Sequence, residues 1–441
     1  MPKILIIGSG KSSTFLIDHL LKSALEKGRE ITVADIHINS ALQKIKNHPA
    51  GEAVEVNIDD STSRRKLITN ADLVISMLPA FFHPIIARDC LDLEKHFFTA
   101  SYESDELRKL RDEIDSKQLL FLNECGLDPG IDHMSAMQVI DHEKRKGHEI
   151  IAFKSFTGGV LAPESEDNPW KYKFTWNPRN VVLAGQGMSK FIRNGKYKFV
   201  PYHMLFRRLE KIYFEEVGEF EGYPNRDSLT YRKIYGLEAI PTLLRGTLRR
   251  AGFCSSWDIF VQLGMTDNSF EMNLPEGFTY RQFLNAFLPY HESKTLEEKI
   301  QELLPSVDDE IMGKIKWLGL FENRVMSKVK GSPASLLQDL LEKKWDLQAS
   351  DKDMIVMQHL FEVKTPAGMK TITSSLVCKG DDQEHTAMAK TVGLPLAIAA
   401  DLFLDGVIAA KGLRLPITPD FYEPILKRLE EEGIIFTETL S

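Results

Sequence analysis

The residues best suited to chemistry begin at position 8. Gly8-Ser9-Gly10-Lys11-Ser12-Ser13 follows a short apolar run, Ile4–Ile7, and opens a stretch that puts Ile17, Leu20, Leu21, Ala24 and Leu25 on one helical face. A glycine-rich turn between strand and helix is where backbone N–H groups and a helix N-terminus cradle a pyrophosphate. Gly8 permits the tight turn and Gly10 lets the backbone approach the anion. Ser13 stands where the dinucleotide fingerprint has its third glycine, and it is still small enough for close helix–strand packing. Gly10-Lys11-Ser12 also spells the end of a P-loop, but Leu5 occupies the place of that motif's first glycine. Asp35 closes the second apolar run, Ile31–Ala34. A carboxylate there accepts both ribose hydroxyls of NAD and repels the 2′-phosphate of NADP, so the spacing favours NAD. His37 and Lys44 are close enough in sequence to soften a phosphate clash. Ser76, Met77 and Leu78 end a further run from Leu73 and belong to the crevice where such a cofactor lies.

These residues need a scaffold, and the first 125 positions supply one. Apolar runs at Ala53–Val56, Leu73–Leu78, Phe97–Ala100 and Leu119–Leu122 alternate with helical segments, including a charged one around Asp105–Ser116. Near-continuous apolar strands divided by helices predict a parallel sheet covered on both faces. Beyond Pro129 the rhythm changes. Ile150–Phe156 and Lys211–Phe220 read as strands, and Ile355–Val363 and Ile372–Cys378 as a hairpin around Pro366-Ala367-Gly368. Thr242–Arg250, Tyr280–Leu288, Thr295–Leu304 and Asp309–Leu318 read as helices of an insert. Two closing helices, Leu394–Ala410 and Asp420–Glu432, are expected to end at Gly412 and Gly433.

With 441 residues, the chain is long for one core. Its 55 Lys+Arg against 63 Asp+Glu leave a net charge of −8, which argues against broad nucleic-acid binding and against a basic membrane-surface protein. Four cysteines without CxxC spacing form neither a disulfide framework nor a zinc knuckle, so a cytoplasmic protein is expected. No HExxH or clustered cysteine argues for a metal, and His133 beside Asp132 reads as ordering a helix start.

Several further segments occur in one order along the chain. They are Thr99-Ala100-Ser101-Tyr102, Asn123-Glu124-Cys125-Gly126-Leu127-Asp128-Pro129-Gly130-Ile131-Asp132-His133, Tyr223-Pro224-Asn225-Arg226-Asp227-Ser228 and Leu243-Leu244-Arg245-Gly246-Thr247-Leu248-Arg249. Lys173-Phe174-Thr175-Trp176 and Ala387-Met388-Ala389-Lys390-Thr391-Val392-Gly393-Leu394-Pro395 extend the series. Nearly end to end, the chain resembles the saccharopine dehydrogenase family in its glutamate-forming branch.

The resemblance implies an α/β protein with a variant Rossmann domain, a mixed α/β substrate and dimerisation domain, and an all-helical insert. Residues 1–128, with 390–441 packing back on them, would be the first; 129–236 and 330–389 the second; 237–329 the insert. It implies a homodimer acting on small molecules, joining L-2-aminoadipate 6-semialdehyde to L-glutamate through an imine that hydride from NAD or NADP reduces to saccharopine. Saccharopine is a triacid, and guanidinium forks match carboxylates. Arg226 and Arg249 match the family's substrate positions, with Asn225, Thr247 and Leu248 beside them. Ser101 and Tyr102 would touch both ligands. Leu127, Asp128, Pro129 and Gly130 would line the nicotinamide side, with Thr99 and Thr175 also on the cofactor. Proton transfer at the carbinolamine would fall to Tyr102 and Asp128. Thr157 stands where the family pattern has a cysteine, which removes a titrating thiol from that position. Two alternatives keep the nucleotide fold: a related amino-acid or opine-type dehydrogenase such as lysine 6-dehydrogenase, or a non-catalytic nucleotide sensor.

Overall fold

The computed structural model describes residues 1–441, which fall into two compact units. The first contains Met1–Ile150, Val363–Lys370 and Leu376–Thr439. Its strands are β1 (Lys3–Ile7), β2 (Glu30–Asp35), β3 (Gly51–Glu55), β4 (Leu73–Ser76), β5 (His96–Thr99) and β6 (Leu120–Leu122). With Gly412–Arg414 they make a seven-stranded sheet in the order (412–414)-β6-β5-β4-β1-β2-β3. Every pairing is parallel, and β1 lies between β2 and β4, with Ile4 opposite both Ile31 and Leu73. Ile4–Ile7 and Leu73–Ser76 are buried throughout because helices cover both faces, as continuous apolar runs require. The connecting helices are α1 (Thr14–Lys27), α2 (Ile38–Ile45), α3 (Ser61–Thr69), α4 (His83–Asp92), α5 (Asp105–Lys109) and α6 (Arg111–Ser116). The charged segment expected as one helix is thus two. α7 (Ile131–Arg145) leads out of the sheet.

The helix Ala387–Leu404 packs on α1, and Pro419–Glu431 packs on both it and α7. Asp401, in the apolar helix, is held by Arg29 and Lys27. Gly412 does not end that helix. It starts an edge strand, and the helix stops earlier, at Asp405 and Gly406.

The second unit contains Ile151–Glu362, Thr371–Ser375 and the last two residues. It is built on a mixed sheet of β7 (Glu149–Leu161), β8 (Met188–Arg193), β9 (Lys196–Pro201), β10 (Glu210–Phe214), β11 (Gly218–Pro224), β12 (Thr242–Arg250), β13 (Asp353–Thr365) and β14 (Gly368–Lys379). The main path runs β10-β11-β12-β7-β13-β14 and ends on Thr437–Leu440, and β8 joins β12 to β9, nine strands in all. β13 and β14 are the expected hairpin. Thr242–Arg250 is a correction: read as a helix, it is the strand β12, antiparallel to β11 and parallel to β7. Leucine and arginine are good helix formers, and a nine-residue run buried on both faces, with arginines and threonines among its leucines, shows no two-residue alternation to betray it. Helices at Phe253–Gln262, Tyr280–Asn285, Leu296–Leu303 and Asp309–Leu318 follow it.

Candidate active site

The fold brings the glycine-rich turn to the carboxyl end of β1, between β2 and β4. Gly8 has φ +102°, and a Cβ there would lie 3.1 Å from the Met77 carbonyl, so glycine alone lets the turn pass the end of β4. A Cβ on Gly10 would meet nothing within 4 Å, which leaves open space over the turn. Lys11 and Ser12 continue from it into a short 3₁₀ turn ahead of α1, with Lys11 exposed. Ser13 is buried and donates from Oγ to the Gly10 carbonyl at 2.8 Å, stitching the turn to itself. The close helix approach that a third glycine would provide comes instead from Gly393. A Cβ there would sit 2.8 Å from the Leu16 nitrogen.

Asp35 is brought to the same turn. Its Oδ2 accepts both the Ser9 N–H at 2.7 Å and the Ser9 hydroxyl at 2.8 Å, and its Oδ1 accepts the His37 N–H at 2.9 Å. Burial pushes its pKa upward, but the hydrogen bonds from His37 and Ser9 outweigh it and hold the carboxyl below its usual range. Most of this carboxylate is therefore occupied in fixing the phosphate turn.

At the ends of β4 and β5, Ser76, Thr99 and Ser101 meet around a residue the sequence reading missed. His83 Nδ1 lies 2.9 Å from Ser76 Oγ, and Nε2 lies 2.7 Å from Ser101 Oγ. Met77 and Leu78 follow β4, half-buried, with the Met77 N–H donating to the Ile7 carbonyl. Tyr102 donates its hydroxyl to Asp128 Oδ1 at 3.0 Å, so the two residues proposed for proton transfer are in direct contact. Leu127-Asp128-Pro129-Gly130 forms the turn into α7, closed by the Gly126 N–H on the Pro129 carbonyl and by Asp132 accepting the Gly130 N–H. His133 is buried against Glu124 at 2.8 Å, and no group of three or more His, Cys, Asp and Glu side chains gathers for a metal.

The remaining residues lie in the second unit. Thr247 and Arg249 alternate onto one face of β12, and Thr247 pairs in register with Thr157 of β7. Leu248 points the other way and is fully buried; a Cβ on Gly158 would lie 2.7 Å from its own Cβ. Arg249 is 4% exposed, with its guanidinium 5.4 Å from the Tyr172 ring, 5.6 Å from Phe253 and 5.9 Å from Tyr223. Its only hydrogen bond runs from Nη1 to the Leu248 carbonyl, Nε has no partner, and no carboxylate pairs with it. The neighbouring Arg250, by contrast, pairs with Glu166 at 2.5 Å. The buried hydroxyls of Thr157 and Thr175 also lack partners. Buried polar atoms left unsatisfied mark a place where a ligand or water completes the bonding. Arg226 is exposed, with φ +36°, one of eight non-glycine residues in the chain with positive φ. Asn225 beside it is anchored by its N–H on the Arg245 carbonyl.

Comparison with known proteins covers both units. Residues 4–122 match the saccharopine dehydrogenase NADP binding domain, and residues 126–434 match the saccharopine dehydrogenase C-terminal domain. The mitochondrial alpha-aminoadipic semialdehyde synthase of Mus musculus is 34% identical over 444 residues, 98% of this chain and 47% of that protein. The chain thus spans about half the length of such relatives. Saccharopine dehydrogenase [NADP(+), L-glutamate-forming] of Saccharomyces cerevisiae is 32% identical over 448 residues, covering 99% of this chain and 98% of that one. The apo structure of the L-Glu-forming enzyme from that yeast superposes with a TM-score of 0.90 at 31% identity over the whole of both chains. The Legionella pneumophila homospermidine synthase shares the fold at a TM-score of 0.56 and 10% identity. The NAD preference expected from Asp35 finds no support, since the matching domain is an NADP binding domain and the fungal relatives are named for NADP(+). Agreement in sequence along both units, and in fold over the full length, makes the chain a member of the saccharopine dehydrogenase family.

Proposed function

We propose that the chain interconverts saccharopine with L-glutamate and L-2-aminoadipate 6-semialdehyde, with NADP as the hydride carrier. The observation that carries this reading is Arg249, a buried guanidinium with a free Nε and no carboxylate of its own. Such a cation fits a ligand that brings the carboxylate with it. Arg226 takes a second carboxylate of the triacid, and Asn225 and Thr247 are neutral donors beside the two arginines. The open space over Gly10, with the turn held by Ser9 and Asp35, suits a pyrophosphate on the N-terminal side of α1. Ser76, Met77, Leu78 and Thr99, with Leu127–Gly130, would line the rest of the cofactor. When bound, the nicotinamide supplies or accepts the hydride. Tyr102 and Asp128, sharing a hydrogen bond, pass the proton that carbinolamine formation and breakdown require.

The relatives named for NADP(+), and the match of residues 4–122 to an NADP binding domain, support NADP over NAD. Purified protein should reduce NADP in the presence of saccharopine and release L-glutamate. Turnover of lysine without turnover of saccharopine would overturn the proposal in favour of a lysine 6-dehydrogenase. Asp35→Ala is expected to weaken NADP and NAD alike, leaving their ratio within about three-fold, or roughly 0.7 kcal/mol. A selective gain for NADP would return Asp35 to the role of discriminating the 2′-phosphate. We further propose a homodimer, on the strength of an uncovered apolar strip formed by Met188, Tyr197 and Phe199 on one face of β8 and β9.

A further inference from the structure

His83 takes no part in the roles assigned above, yet it joins three residues that do. It opens α4 immediately beyond β4, and its ring is 3% exposed. Besides Ser76 and Ser101, its Nε2 lies 3.4 Å from Thr99 Oγ1. The Thr99 hydroxyl already gives its proton to the Ser76 carbonyl at 3.0 Å, and it accepts the Ser101 N–H at 3.2 Å. A bare Nε2 would therefore turn its lone pair toward the lone pairs of Thr99. An Nε2–H faces acceptors in both Thr99 and Ser101. Burial pushes the pKa of this imidazole down to about 4, so the ring is neutral near pH 7 and carries one proton only. With that proton on Nε2, Nδ1 is an acceptor and takes the Ser76 hydroxyl. Ser101 Oγ then receives the ring proton, and its own proton has no acceptor in the protein.

We propose that His83 is a positioning residue whose Nε2–H fixes Ser101 Oγ and thereby commits the Ser101 hydroxyl to donating toward an oxygen of the bound ligand. A carboxylate of the substrate or the carboxamide of the nicotinamide has the chemistry to accept it. The identity of that ligand rests on the proposed function, whereas the state of the ring does not.

Two measurements test this. Imidazole nitrogen NMR on histidine-labelled protein, with the His83 signal assigned by its loss in His83→Gln, should show a neutral ring protonated at Nε2 near pH 7. A ring protonated at Nδ1, or charged, overturns the proposal. In the second test, His83→Phe and Ser101→Ala should each weaken one ligand roughly five- to ten-fold, the size of one hydrogen bond. The double variant should be no worse than Ser101→Ala alone. His83→Gln, whose amide can both donate to Ser101 and accept from Ser76, should recover most of the loss. A raised KM for saccharopine assigns the acceptor to the substrate, and a raised Kd for NADP assigns it to the carboxamide. Additive losses with no recovery in His83→Gln overturn the proposal and leave His83 a support of the fold. If the wild type turns over no saccharopine, the proposed function fails, while the NMR spectrum and the cofactor titrations still decide the role of His83.

Discussion

Arg249 concentrates the residue-scale argument. Taking a guanidinium out of water without an anionic partner destabilises the folded chain, and three aromatic faces offset only part of that cost. Burial lowers its pKa, but Tyr223, Tyr172 and Cys254 raise it further, so it stays charged. Arg249→Met is therefore expected to leave Tm unchanged or higher while raising the KM for saccharopine about 10- to 150-fold, the range of one charge-assisted hydrogen-bond set. Arg249→Lys should not restore it, because an ammonium cannot reproduce the fork. Arg250→Met, which takes from Glu166 its 2.5 Å partner and leaves only Lys171 at 3.5 Å, should do the opposite: lower Tm and near-normal KM. Thermal melts beside steady-state kinetics separate the two. A fall in Tm for Arg249→Met with KM intact would make that arginine a structural residue.

At the scale of elements, two glycines divide stability from binding. Gly10→Ala adds a methyl group to open space, so Tm should hold while cofactor affinity falls. Gly393→Ala forces a methyl group against the backbone of Leu16, so the helix Ala387–Leu404 must retreat from α1, at a cost of about 1–3 kcal/mol. Calorimetric melts with and without NADP check both, and equal loss of Tm in the two variants would undo the distinction. The elements of the first unit were legible in the sequence because parallel strands buried on both faces are continuous apolar runs with helices between them. β12 was not legible, since Thr242–Arg250 lies between β11 and β7 and buries its arginines and threonines as well as its leucines, so no alternation of polar and apolar residues marks it as a strand. Once it is seen as a strand, the two-residue alternation alone places Thr247 and Arg249 together and turns Leu248 away. Local motif reading singled out Tyr102 and Asp128, which the structure puts in hydrogen-bond contact, but it missed His83, whose importance arises only where β4, β5 and α4 converge. Asp35 was visible, but its partner was not: a carboxylate at that strand end looks the same whether it holds a ribose or Ser9.

For the whole molecule, the net charge of −8 does not argue against the proposed triacid ligand, because it sums the whole chain while Arg249 is buried apart from the exposed carboxylates. Ala387–Leu404 is long and apolar enough to cross a membrane, yet 78% of it is buried, and Arg29 and Lys27 hold its Asp401. The uncovered surface that matters more is the β8–β9 strip, where Tyr197 is 56% and Phe199 50% exposed. The wild type should sediment as a dimer, and Tyr197→Glu with Phe199→Glu should give a folded monomer. A wild-type monomer would remove the strip as an interface.

One further consequence follows from the sulfur atoms. All four cysteines are buried and free, and burial pushes the Cys90, Cys125 and Cys254 thiols well up, away from the thiolate that peroxides and alkylating agents attack. Thr157 leaves a hydroxyl on the strand where the family pattern offers a thiol. Among the sulfur atoms, those of the exposed Met1, Met188 and Met369 are left most open to an oxidant, and the residues proposed for substrate and proton contain no sulfur. Hydrogen peroxide at concentrations that inactivate thiol-dependent enzymes is expected to leave the proposed activity intact, as assays before and after treatment would show.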